Sequence, residues 1–266
     1  MTRVWTGLIT VLALAVCAPR ADATVMFSNT ANGLSASASF SISGTTLTIL
    51  LTNTDAATGA GAPTDAANVL SGLFFNLGTG SFTPVSANTN GNGSIIQTDQ
   101  CDVNCSSTTN VGGEFSYASG GVNWLAGTNQ GISSSGYLNA NTSAGNFNGP
   151  NYDNPAALDG INFGMVPNNW VAGSGNGGLD SVPLIEGTVK FVLTVPTGLS
   201  EGDIKNVYFT YGTAAGEGTL AGTTSASATT TGGQTTSGSS VPEPGTLSIL
   251  GLALAGVGYR FRRKVS

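Results

Sequence analysis

The chain has 266 residues, 39 of them glycine, and only 8% are charged, against roughly 25% in an ordinary soluble domain. It contains no histidine, which excludes a His-dependent catalytic triad and a His-ligated zinc site. A net charge of −6 does not suit a nucleic-acid binder, whose phosphate contacts need Lys and Arg, and a 40% hydrophobic content at low charge does not suit charge-driven disorder.

The first segment reads as an export signal. Arg3 supplies a basic start, Val4 to Ala18 is an apolar run of 15 residues, and Ala21-Asp22-Ala23 fits the small-x-small cleavage pattern. The run is short for a membrane span, which needs about 20 apolar residues. Residues 1–23 are therefore expected to be a signal peptide cut after Ala23. Acylation of Cys17 is an alternative, but Val16 before it is bulky for that chemistry.

Residues 24–220 are the expected folding unit. They hold two lysines, Lys190 and Lys205, against twelve acids, a net charge of −10. Such a surface repels nucleic acid and anionic lipid. The dominant pattern has period 2, the mark of half-buried strands. Leu34, Ala36, Ala38, Phe40 and Ile42 share one face, with serines at 35, 37, 39 and 41 on the other. Ser43-Gly44 turns the chain, and Leu47, Ile49 and Leu51 resume the inward face over Thr46 to Thr52. Val69 to Leu77 is a further expected strand, and Gly113 to Tyr117 and Asn123 to Ala126 are weaker ones. Thr188 to Val195 and Ile204 to Tyr211 repeat the alternation, with Lys190 outward. Long loops are expected at 53–67, 78–93 and 127–157, and no strict repeat or normal-length amphipathic helix stands out between the two ends. The fold class is all-β: one antiparallel β-sandwich ectodomain, jelly-roll-like, with Gly/Asn/Ser-rich loops.

Candidate chemistry is sparse. Cys101 and Cys105 enclose three residues, and in an oxidising compartment such a pair favours a local disulfide. Asp99, Asp102 and Asn104 flank them and offer oxygen ligands for calcium; Asx-turn chemistry is the alternative. Asn151, Asp153, Asn154 and Asp159 form a second cluster, and neither has EF-hand spacing. No cofactor is expected, with calcium the one alternative. Trp124, Trp170, Tyr117, Tyr137 and Tyr152 read either as a sugar-stacking platform or as packing. Twelve acids leave a glycosidase-like pair conceivable, but nothing singles one out, so the chain is expected not to be an enzyme.

Residues 221–240 carry no charge and no large apolar side chain, which reads as a flexible linker or a glycosylated stalk. The end then has three parts: Pro242-Glu243-Pro244, an apolar run over 247–259, and a basic cluster of Arg260, Arg262, Arg263 and Lys264. Residues 246–261 would span about 24 Å as a helix, at the short limit for a bilayer, with the basic cluster cytoplasmic. A plain tail anchor would show the same run.

This tripartite end, over residues 241–266 and paired with an N-terminal signal peptide, resembles the PEP-CTERM sorting signal of exported bacterial proteins. The resemblance implies an inner-membrane-anchored precursor in a Gram-negative bacterium, cut by an exosortase near Pro242-Glu243-Pro244 and delivered to the cell surface or extracellular matrix. It further associates such proteins with exopolysaccharide and biofilm. The expected function is thus a non-enzymatic surface or matrix protein; a secreted carbohydrate-binding module, calcium-assisted or not, is the alternative.

Overall fold

The computed structural model describes residues 23–80, 82–89, 93–97, 109–119, 125–135, 150–152, 158, 160–171, 178–213 and 217–225. They belong to one compact unit, Met1–Thr229. Residues 1–22, Cys101 and Cys105, and the tail from residue 226 onward lie outside the described residues. Among the described residues no helix is long and apolar enough to cross a membrane.

Among the described residues fourteen strands form two sheets. The first runs in the order β14 (Thr223–Ser225), β1 (Val25–Ala31), β2 (Leu34–Ser43), β3 (Thr46–Asn53), β11 (Thr188–Thr194), β5 (Thr83–Asn88), and every pairing in it is antiparallel. The second runs β13 (Gly218–Ala221), β12 (Ile204–Tyr211), β4 (Leu70–Leu77), β9 (Met165–Val166), β10 (Leu184–Glu186), β6 (Ser94–Ile96). β8 (Gln130–Ser133) also pairs with β4, and β7 (Ser116–Ser119) pairs with β8. The β9–β10 pair is parallel, so this sheet is mixed. A six-stranded and an eight-stranded sheet exceed the eight strands of a jelly roll, and β1-β2-β3 is a sequential meander.

Local chemistry sets the meander. Ala31 pairs with Leu34 across Asn32-Gly33, and both turn residues have positive φ, at 56° and 79°. That is the type I′ geometry which Asn-Gly favours, and its twist matches the flanking strands. Beyond the turns, alternation does the rest. Ala36, Ala38, Phe40, Leu47, Ile49, Leu51, Val189, Phe191 and Leu193 are all buried on one face. They meet Leu73, Phe75, Leu77, Val207, Phe209 and Tyr211 from the second sheet in a single core. Phe40 packs edge-on against Phe75 at 5.4 Å, joining the two sheets directly. Each large buried ring contributes about 2–3 kcal/mol of burial.

Several expectations need correcting. Leu125, Ala126 and Gly127 are bend and turn, not strand. The expected strand at Gly113–Tyr117 begins as a 3-10 turn, Gly112–Glu114, and becomes extended only at Ser116. The loops at 78–93 and 127–157 contain β5 and β8. The domain also runs past residue 220: Ala221 closes β13, and Thr223–Ser225 pair with β1. The first residues assigned to the linker are therefore sheet.

Candidate functional site

The outward face of the six-stranded sheet is the most distinctive described surface. Its registers are unbroken from β1 to β3. Side chains therefore fall into rows across the strands. One row is Thr223, Ser28, Ser37, Thr52 and Thr188. The next rows toward the Ser43–Thr46 turn are Met26, Ser39, Leu50, Lys190 and Asn88, then Ser41, Thr48, Val192 and Ser86. Ser43, Thr46, Thr194 and Thr83 form the last. With strands about 4.8 Å apart, the first row spans about 19 Å.

The hydroxyls meet across strands. Ser35 Oγ lies 2.7 Å from Thr30 Oγ1 and 2.7 Å from Thr54 Oγ1, and Thr52 Oγ1 lies 2.8 Å from Thr188 Oγ1. Each such group both donates and accepts. Lys190 is the sole charged residue in these rows. Chemically the face is a neutral hydroxyl grid on a strongly acidic domain, with a few apolar side chains for contact.

The aromatic residues divide differently from a sugar platform. Tyr117, Tyr152 and Trp170 are buried. Tyr117 donates its hydroxyl to Gln130 and stacks edge-on to Tyr152, which tilts against Phe191 at 5.5 Å. Burial raises both phenols above the usual tyrosine range. Trp170 Nε1 donates to the Pro63 carbonyl at 3.0 Å. These three are packing residues. Trp124 and Tyr137 lie outside the described residues.

A second cluster was not apparent in the sequence. Where β3 ends, Asn53 Nδ2 donates to the Met165 carbonyl at 3.0 Å, and the Asp55 N–H donates to Asn53 Oδ1 at 2.9 Å. Asp55 is only 9% exposed. Burial pushes its carboxyl up from 3.8 to about 6, against hydrogen bonds from the Ser35 backbone and the Asn53 side chain that lower it. Asp55 Oδ2 and the fully buried Tyr211 hydroxyl have no hydrogen-bond partner among the described residues. Burial, reinforced by the Asp55 charge, raises the Tyr211 phenol.

The sequence-derived sites lie elsewhere. Cys101, Cys105, Asp99, Asp102 and Asn104 fall outside the described residues, as do Ala21, Pro242, Glu243, Pro244, Arg260, Arg262, Arg263 and Lys264. Of the second acidic cluster only Asn151 is described, and it bridges Ser116. Among the described residues no group of three or more His, Cys, Asp or Glu side chains is placed to hold a metal ion.

Comparison with known families gives one match: the PEP-CTERM protein-sorting motif, over residues 240–264. That motif implies an exported protein with a membrane-anchored precursor processed by an exosortase. No curated protein and no solved structure matches the chain.

Proposed function

We propose that this chain is a non-enzymatic, exported surface or extracellular-matrix protein whose ectodomain meets neutral polysaccharide across the hydroxyl face of its six-stranded sheet. The observation that supports this is the set of Ser/Thr rows with a single charge among them. Sugar hydroxyls and side-chain hydroxyls exchange donors and acceptors without either partner carrying charge. The net charge of −10 over residues 24–220 disfavours anionic polymers by repulsion. The sorting route supplies the location. The signal peptide directs export, the tail holds the precursor in the inner membrane through its basic cluster, and an exosortase cuts near Pro242-Glu243-Pro244. The product reaches the surface or matrix of a Gram-negative cell.

Two measurements test the two halves. An intact mass of protein isolated from its own cells is expected to match a chain from Thr24 to the neighbourhood of Pro242, plus any stalk sugar. A mass that retains residues 245–266 would leave a simple tail anchor instead. For the ectodomain, the isolated protein is expected to co-sediment with insoluble neutral glucan and not with a calcium-free anionic gel. Ser37→Glu with Ser39→Glu places two charges on the grid and is expected to abolish co-sedimentation. Absence of binding to every neutral polysaccharide tried would sink the binding half and leave the sorting half standing.

A further inference from the structure

The Asn53–Asp55–Tyr211 cluster has no role in the function proposed above, yet it places an acid where acids are rarely tolerated. Four elements converge on it. β3 contributes Asn53, β2 the Ser35 backbone, β9 the Met165 carbonyl and β12 Tyr211. The two sheets are thereby tied together at one end, where the connection from β3 to β4 (residues 54–69) begins. The ionisable groups on these elements are few. β2, β3 and β9 carry none, and β12 carries Lys205, Tyr208 and Tyr211. Tyr211 is the one that feels the Asp55 charge. Lys205 sits six residues away along β12, about 20 Å, at the opposite end of the strand. Asp65 is the other acid of the 54–69 connection. Glu217, in the segment after β12, accepts from the Thr213 N–H at 2.6 Å. No cation on these elements is close enough to neutralise an ionised Asp55.

We propose that Asp55 is a proton-operated latch: with its carboxyl protonated the buried cluster is neutral and the start of the 54–69 connection stays held against the ends of the sheets, and on losing that proton to solvent the uncompensated buried charge opens the connection. An isolated buried charge is costly, and a protein relieves it either by protonation or by local opening. The direction follows from linkage. Folding raises the acid from 3.8 to about 6, so the stability it confers is fully present below pH 4 and is lost as pH rises through 6. An exported domain experiences the pH of its surroundings directly, so the latch would read that pH.

Hydrogen exchange followed by mass spectrometry on the mature protein tests this. After correction for the intrinsic chemical rate, protection of amides in 54–69 is expected to fall about ten-fold between pH 5 and pH 8. Protection in β2 and β11 should change far less. Asp55→Asn is expected to hold the pH 5 level of protection at pH 8. Equal protection at both pH values in the wild type would overturn the latch, as would an unchanged fall in Asp55→Asn. If Asp55→Asn does not accumulate, Asp55→Ser takes its place, and the wild-type profile decides alone: a fall between pH 4 and 6 that levels off above supports the latch and a flat profile rejects it.

Discussion

The two sheets of this domain solve the same burial problem in opposite ways. In the six-stranded sheet, β2 and β3 alternate buried and half-buried residues along their length. In the eight-stranded sheet, β4 is buried at seven of its eight positions. The same sheet also carries a second, smaller core beside β9 and β10. Met165 and Ile185 belong to the main core between the sheets, whereas their neighbours Val166 and Leu184 pack with Val69, Ile161, Trp170 and Leu179. A sheet covered on both faces loses its alternation, while a sheet with one wet face keeps it. The first sheet is therefore free to present a regular surface, and the second is committed to packing. The contrast separates the part of the molecule available for contact from the part that holds it together.

The largest effect is expected where the second sheet is tightest. Gly72 lies in the middle of β4, opposite Ser133 of β8 on one side and Thr210 of β12 on the other. A Cβ there would sit 2.5 Å from Thr210 Oγ1 and 3.0 Å from the Ile132 carbonyl oxygen. The carbonyl belongs to a paired strand and cannot swing aside. Gly72→Val is expected to cost about 3 kcal/mol, read as a lowered urea midpoint at unchanged slope. A loss under about 0.5 kcal/mol would mean that β8 and β12 yield easily, and the contrast between a packed and a presenting sheet would fail.

Legibility from sequence follows the same division. The β2–β3 hairpin and β11 are readable because each pairs an apolar face with a polar one over seven or more residues, and β12 because Val207, Phe209 and Tyr211 keep the period at its end. β4 was readable as a continuous apolar run. β8 was not: Gln130, Gly131 and Ser133 carry no strand signal, and only their pairing with β4 and β7 makes them one. β9 and β10, at two and three residues, are too short to show a period. β5 was hidden by Pro84, tolerated because the strand lies at a sheet edge. β1 shows no clear period of its own, and only the Asn32-Gly33 hairpin signal points to a partner strand before Leu34. Of the candidate sites, the sorting tail was fully legible because its three parts stand in a fixed order. The Asp55 cluster was not, because a lone acid in a Gly/Ala-rich loop reads as solvent-exposed until Tyr211 is brought to it from 156 residues further along the chain.

The smallest effect on stability is expected on the presenting sheet, and there a small number is the informative one. Ser37 sits at the centre of a hydroxyl row, between Ser28 of β1 and Thr52 of β3, on strands whose other faces fill the main core. Ser37→Val keeps the shape of a small side chain, removes one donor and acceptor, and supplies a β-branched residue that suits a strand. Stability is expected to stay within about 0.5 kcal/mol of wild type in urea unfolding. Retention on neutral glucan is expected to weaken, because the substituted row can no longer exchange hydrogen bonds at its middle. A loss of more than 1 kcal/mol would instead assign Ser37 to the kind of cross-strand hydroxyl chain seen at Thr30, Ser35 and Thr54, and the serine alternation of β2 would then serve the fold rather than its surface.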